Sequence, residues 1–243
     1  MRFRSLFTIF LCFIEITIYA QEDAKLKATA LWFDSIVGFK NIDVHKGIIS
    51  TPAYRVINEF HPYFQSGNFI KGDIYYSNQF YSNVELRYDI YADNLYARFN
   101  SRLKVVTVEL DKKKIENFTV HGTTFKNFYS SSRKNSQIIG FYHEILKLEH
   151  FSFYEKYRKE KIKRLNNRFV YYEFKRDKNL YVLCFEDKRF VIKNNKDFSK
   201  VLGAYAAVIK NFNKKNRKIY RSNVKNYALA LLQYLNDLEM NAN

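Results

Sequence analysis

Val84-Glu85-Leu86-Arg87-Tyr88-Asp89-Ile90 decides the fold, because apolar and charged residues alternate strictly along it. Successive side chains of a β-strand point to opposite faces, so the alternation predicts a strand with one buried and one solvated face. The polar turn Ala92-Asp93-Asn94 follows, and a second apolar run begins at Leu95.

Similar runs recur from Gly67 to Asn194, with turn residues about every 8–12 positions, as in an all-β unit. Short connections between consecutive strands favour antiparallel neighbours. Asp111-Lys112-Lys113-Lys114 is predicted to be the polar tip of one hairpin. Further strands are predicted at residues 95–99, 103–110, 115–120, 125–128, 137–146, 151–162, 169–175, 180–185 and 189–193.

Helices are predicted at both ends of this unit. Residues 21–39 carry apolar side chains on one helical face, and residues 197–239 form two helices, capped by Asp197 and Ser222. Gly203 is expected to bend the first of these two helices. An apolar stripe from Val224 to Leu238 should pack on the sheet, although a partner-binding role remains the alternative. The predicted fold is α+β and mainly β: a long antiparallel sheet, twisted or partly rolled, with helices at the N- and C-terminal ends.

The first twenty residues have the pattern of a signal peptide. Arg2 and Arg4 precede an apolar run at 6–19, and Ala20 supplies a small residue before Gln21. An uncleaved anchor is the alternative, but the run is shorter than the ~20 residues that span a bilayer, and no later segment is long enough. The sequence thus predicts a signal peptide at 1–20, one domain at 21–243, and a periplasmic or envelope-associated protein with no transmembrane span.

The sequence contains no recognisable catalytic or metal-binding motif. None of the five histidines has metal-ligand spacing, no serine is bracketed by glycines, and the 7 glycines form no phosphate loop. The apolar neighbours of Cys184 predict a buried, unreactive thiol. We therefore expect no cofactor and no metal, and favour a non-enzyme.

Positive charge is the only signal of function that is concentrated at particular positions of the chain. The formal net charge is +17, which attracts polyanions. Nucleic acid is not expected as a partner, because an exported protein rarely meets it. The candidate polyanion contacts crowd into one predicted hairpin with its tip at 163–167; they are Lys156, Arg158, Lys159, Lys161, Lys163, Arg164 and Arg168. With cations on both faces, this hairpin should project from the sheet, although charged strands also serve simply to prevent aggregation.

Several stretches occur in a familiar order. They are Tyr54, His61-Pro62-Tyr63-Phe64, Gly72-Asp73-Ile74-Tyr75-Tyr76, Leu86-Arg87-Tyr88-Asp89-Ile90 and Gly122-Thr123-Thr124-Phe125. With these strand and turn signatures the chain resembles a widespread family of exported Bacteroidetes proteins with no assigned activity. The resemblance implies an envelope location and carries over no catalytic or ligand residues.

Three function classes follow. The leading one is a non-catalytic binding or structural module of the envelope, with a basic surface for an anionic envelope polymer, lipid or another envelope protein. The alternatives are a hydrolase of envelope polymer, which needs a cleft where carboxylates or histidines converge, and a carrier, which needs a dry cavity for an apolar ligand inside the rolled sheet.

The signal-peptide hypothesis gives a first prediction. Envelope material should contain a mature chain that begins at or near Gln21, because cleavage follows the small residue Ala20. N-terminal sequencing checks this, and an intact Met1 would contradict it.

Overall fold

The computed structural model describes residues 48–49, 54–57, 59–100, 105–129, 138–166, 168–186 and 188–240. The predicted signal peptide and the predicted helix within 21–39 lie outside these residues. The strands are β1 (Ile48–Ile49), β2 (Ile70–Tyr76), β3 (Gln79–Asp89), β4 (Asn94–Asn100), β5 (Val105–Glu109), β6 (Ile115–Val120), β7 (Thr123–Asn127), β8 (Phe141–Lys147), β9 (Phe151–Lys156), β10 (Lys159–Leu165), β11 (Val170–Arg176), β12 (Leu180–Phe185) and β13 (Lys188–Ile192).

The C-terminal region is helical, as predicted, but in four segments. The helices are α1 (Asp197–Val201), α2 (Ala206–Lys215), α3 (Arg217–Tyr220) and α4 (Val224–Met240). A 3-10 turn at Gly203–Tyr205 separates α1 from α2, so the predicted bend at Gly203 is an interruption. None of the helices in the described ranges is long and apolar enough to cross a lipid bilayer.

Both predicted helix caps are wrong by one residue. Asn223, not Ser222, caps α4: its Oδ1 accepts a hydrogen bond from the backbone N–H of Asn226 at 2.9 Å. The Ser222 hydroxyl donates backwards to the carbonyl of Ile219. Asp197 lies inside the first turn of α1, after Lys196 at the cap position. Ser, Asn and Asp all suit a cap, so composition alone does not choose between adjacent positions.

The described strands form one large antiparallel sheet and one separate hairpin. The large sheet has eleven strands in the order β1-β5-β4-β3-β2-β6-β7-β8-β9-β12-β13, and β10 pairs only with β11. The mainly β architecture with C-terminal helices confirms the predicted fold class. The predicted strand 151–162 is wrong as one element, because it divides into β9 and β10 at Tyr157-Arg158.

The connection between β5 and β6 requires the sheet to be rolled. The two strands run in the same direction and lie four positions apart in the sheet order, or about 19 Å apart in a flat sheet at ~4.8 Å per strand. In a flat sheet, the chain would also have to run back along the full length of a strand, because β5 ends at one edge of the sheet and β6 begins at the opposite edge. The few residues between Glu109 and Ile115 reach roughly 20 Å when fully extended. Only a rolled sheet brings the two ends within that reach.

The predicted hairpin tip at Asp111 is therefore wrong. The Asp111 carboxylate accepts the backbone N–H of Lys113 at 2.9 Å and caps a 3-10 turn at Lys112–Lys114. This turn delivers the chain to β6, which pairs with β2 and not with β5. Its far end is fixed by a 2.8 Å hydrogen bond from the Ser77 N–H to the Lys114 carbonyl.

Aromatic side chains fill the inside of the roll. The Tyr88 ring on β3 lies 5.3 Å from Phe118 on β6 and 5.9 Å from Phe141 on β8, measured between centroids. The strands β3 and β8 are four positions apart in the sheet, so these rings meet across the roll. A second cluster joins the last strands of the sheet to the helices. There Tyr227, Leu231 and Leu235 of α4 are fully buried, so most of the predicted stripe packs on the sheet.

Asp93, in the turn after β3, joins the two sides of the roll. Its Oδ2 accepts hydrogen bonds from Lys156 Nζ at 2.7 Å and Tyr129 Oη at 2.8 Å. Its Oδ1 accepts from Tyr88 Oη at 2.6 Å and from the Phe141 N–H at 3.4 Å. Lys156 lies on β9, five positions from β3 in the sheet order. We call this Asp93–Lys156 ion pair the seam.

Gly140 allows the seam to form. Its φ of +116° is rare for residues with side chains, and a Cβ at this position would overlap Lys156 Nζ and Asp93 Oδ2. The Asp93 backbone is itself left-handed, with φ of 57°, a conformation that Asp tolerates better than most residues. Backbone geometry and the ion pair therefore depend on each other.

Breaking the seam should destabilise the protein. Asp93→Asn leaves a mostly buried ammonium, 17% exposed, without its counter-charge, which should lower the free energy of unfolding by about 3 kcal/mol. Urea unfolding measures the change. The control is Arg98→Gln, which removes the more exposed Arg98–Glu85 pair and should cost under about 1 kcal/mol. Equal losses for the two variants would contradict a special role for the seam.

Candidate functional site

The basic hairpin, residues 159–176, is held apart from the large sheet. Its strands pair from Lys159↔Arg176 at the base to Leu165↔Val170 at the outer end. Among the described residues, its other backbone support comes from the segment before β2. The Tyr172 N–H donates to the Arg55 carbonyl at 2.9 Å, and the Phe174 N–H donates to the Phe60 carbonyl at 3.0 Å. The predicted hairpin is present, but its turn follows the last pair, Leu165↔Val170, and is therefore shifted toward the C-terminus from 163–167. Its projection from the sheet stays a prediction.

Tyr157 turns the chain out of the large sheet. Its ring stacks on His143 with a centroid distance of 5.9 Å, and its hydroxyl lies 3.0 Å from His143 Nδ1. The ring also contacts Phe64 at 5.0 Å. A side chain bound into the body at this point ends β9, which is why the predicted long strand is interrupted.

The seven candidate cations are placed in three different environments. Lys156 belongs to the seam and points into the body. Lys159 and Lys161 are partly buried at the base of the hairpin. Four are exposed: Arg158, Lys163, Arg164 and Arg168. Of these, Arg158 pairs with Asp177 at 3.0 Å and Arg164 with Glu173 at 3.1 Å, and such exposed pairs are weak.

Lys161 is surrounded by tyrosines. Its Nζ lies 4.4 Å from the ring centroid of Tyr54, 5.2 Å from that of Tyr172 and 5.5 Å from that of Tyr91. A cation over aromatic faces is attracted by their quadrupoles. Lys161 therefore joins the hairpin to the turn after β3 and is not free to meet a large partner.

Lys159 fixes the base of the hairpin. Its Nζ donates hydrogen bonds to the carbonyls of His61 at 2.6 Å and Tyr63 at 2.9 Å. Burial, reinforced by the nearby positive charge of Arg176, lowers the pKa of Lys159 to about 8. Burial and the Lys159 charge likewise lower the pKa of His61.

A cavity of about 620 Å³ lies beside this base. Its polar lining includes Arg158, Lys159, Lys175 and Arg176, with Glu59 as an acid. The lining also contains the apolar side chains of Phe60, Phe64, Ile90 and Phe174. The interior of the roll, in contrast, is occupied by aromatic and aliphatic side chains. An apolar ligand inside the roll would have to displace these side chains.

A buried carboxylate, Glu155, forms the main titratable cluster outside the seam. Its Oε1 accepts from Asn179 at 2.7 Å and Tyr181 at 3.1 Å, and its Oε2 accepts from Lys225 at 3.0 Å. Burial alone would raise its pKa, but the hydrogen bonds from Lys225 and Asn179 hold the pKa below the ordinary value. His143 Nδ1 lies 3.9 Å away. These contacts tie α4 to β9 and leave no carboxylate oxygen free for a substrate.

The described ranges contain few other groups that could act as metal ligands or nucleophiles. They hold no group of three or more His, Cys, Asp or Glu side chains that could bind a metal ion. Cys184 was expected to be buried, but it is only half-buried. Burial nevertheless raises the pKa of its thiol, which suits an unreactive cysteine.

Sequence reasoning missed Asp93 and Glu155. Glu155 had a usable signal, because it shares a strand face with Phe151 and Phe153, and a charge on a core face needs a partner. Asp93 looked like an ordinary turn residue, and its partners come from β8, β9 and the segment after β7.

Comparisons of the chain with protein-family models, with curated proteins and with solved structures found no match. The likeness to exported Bacteroidetes proteins therefore stays an expectation, and function has to be argued from the hairpin itself.

The lowered pKa of Lys159 gives a pH prediction. Its pKa is about 8 in the folded chain, against the ordinary 10.5, so between these values the unfolded chain binds more protons. The free energy of unfolding contributed by Lys159 should therefore increase as pH rises from about 8 to about 10 and decrease as pH falls through 8. Urea unfolding of wild type and Lys159→Met at several pH values measures the difference.

The control for this pH series is Lys163→Met, which removes an exposed lysine from the same strand. Parallel stability profiles for wild type and Lys159→Met would contradict the prediction.

Proposed function

We propose that this chain is an exported, non-catalytic binding module of a cell envelope that attaches to an anionic envelope component through its basic hairpin. One observation carries the proposal: β10 and β11 form a two-stranded sheet of their own, which presents Lys163, Arg164 and Arg168 to solvent. The export part rests on the signal-peptide pattern at residues 1–20.

Charge supports this attachment. The net charge of +17 creates a long-range attraction for polyanions. Each basic residue close to an anionic surface adds roughly 1 kcal/mol of attraction. The outer part of the hairpin concentrates three exposed basic residues close to its turn.

A hydrolase is a weaker candidate. Three carboxylates are buried in the described ranges: Asp89, Asp93 and Glu155. Asp93 and Glu155 have both oxygens hydrogen-bonded to neighbouring side chains, and Asp89 Oδ1 accepts the backbone N–H of Ala92 at 2.9 Å. General acid–base catalysis needs a carboxyl group within hydrogen-bond reach of the substrate. Asp93 and Glu155 instead stabilise the roll and the helix, and Asp89 holds the turn after β3.

The proposal is tested with a charge variant of the outer hairpin. Lys163→Gln, Arg164→Gln and Arg168→Gln together should weaken binding to immobilised heparin, a model polyanion, by about 100-fold at low salt if each cation contributes roughly 1 kcal/mol. The effect should shrink above 0.15 M salt, where the Debye length falls below ~8 Å. Salt-gradient elution measures it.

The matched control removes the same charge elsewhere. Lys214, Lys215 and Lys218, on α2 and α3, are also exposed, and their triple change to Gln should alter elution much less. Equal losses in the two variants would mean that net charge alone governs binding, and the hairpin would then have no special role.

A further inference from the structure

The outer end of the basic hairpin is apolar as well as cationic. Leu165 is 77% exposed and Val170 is 36% exposed, and they face each other as the last pair of the ladder. Exposed aliphatic side chains at a projecting end are unfavourable in water unless they meet an apolar phase. Electrostatic attraction of the hairpin to polyanions does not explain why Leu165 and Val170 are exposed.

Cations surround this apolar pair. Lys163 lies on the same strand face as Leu165, Arg164 lies on the opposite face, and Arg168 lies in the turn between the strands. All three are exposed. The apolar pair is flanked by Lys163 on the base side and by Arg168 in the turn. Apolar side chains between cations suit a lipid surface, where acyl chains lie below anionic headgroups.

The hairpin is also rigid enough to deliver this end. Each strand has seven residues, so the tip lies about 20 Å from the base at ~3.3 Å per residue. The base is fixed by the two carbonyl bonds of Lys159. Near the tip, the Arg55 guanidinium lies 3.5 Å from the Phe169 ring centroid and holds that ring against the body side. A tip that is ordered before binding loses little conformational entropy on docking.

We propose that the hairpin tip docks on a phospholipid bilayer that contains anionic lipid, with Leu165 and Val170 entering the interface and Lys163, Arg164 and Arg168 contacting headgroup phosphates. This inference rests on the proposed function and names its partner as lipid. An anionic polysaccharide would satisfy the cations equally well, but it offers no apolar phase for the aliphatic pair.

The experiment measures co-sedimentation with vesicles of phosphatidylcholine and phosphatidylglycerol in a 3:1 ratio. Leu165→Ser with Val170→Ser should weaken vesicle binding on the order of tenfold, because apolar burial is lost. Retention on heparin should be unchanged, because the cations remain. The control is Val105→Ser with Met240→Ser, which alters two side chains exposed by 63% and 65% away from the hairpin and should bind like wild type.

Each result decides something different. If wild type is retained on heparin but ignores the vesicles, or if the serine pair binds vesicles as well as wild type, the lipid inference fails and the proposed anionic attachment stands. If wild type binds neither, both fail. If the control loses as much as the serine pair, the tip is not the docking point and the inference fails.

A fluorescence measurement locates the tip directly. Leu165→Trp, combined with Trp32→Phe to remove the single natural tryptophan, places one reporter at the hairpin end. Insertion should shift its emission to the blue on the anionic vesicles and allow quenching by brominated lipid. An unchanged spectrum on vesicles that bind the protein would overturn the inference.

Discussion

The ion pair between Lys156 and Asp93 is the constraint on which the rest of the structure depends. A carboxylate and an ammonium removed from water are costly unless they meet, so the roll is favoured only in the arrangement that joins them. That arrangement brings Tyr88 and Phe141 together inside and leaves the segment after β9 free to turn outward. The seam thus joins the two sides of the roll around the filled interior, and Tyr157, directly after Lys156, then turns the chain toward the hairpin.

Local alternation in the sequence was enough to locate most strands, because a half-buried strand must repeat every two residues. The alternation could not show which strands are neighbours in the sheet. The run Asp111–Lys114 has the composition of a hairpin tip, yet its strand pairs with β2, which precedes it by some forty residues along the chain. Which strand becomes the neighbour depends on side chains that meet only after the sheet rolls, and no short window contains that information.

The candidate site was identified from the density of basic residues along the sequence. This density does not distinguish one cation from another. Lys156, Lys161 and Lys163 lie within eight residues of sequence, but the first meets a buried carboxylate, the second three tyrosine rings, and the third solvent. The partners come from segments distant in the chain, such as Tyr54 and Asp93. The hairpin itself was predictable from sequence, whereas the different environments of its cations were not.

The hairpin interrupts two strands that are themselves direct neighbours, since Leu180 of β12 opposes Lys156 of β9. Without β10 and β11, these strands could be joined by an ordinary tight turn and keep the same register. The hairpin thus occupies the place of a turn between two paired strands, with its base tied to the body by Lys159, Lys161 and Phe174. Such an arrangement would let the outer part of the hairpin change while the ladder between β9 and β12 keeps its register.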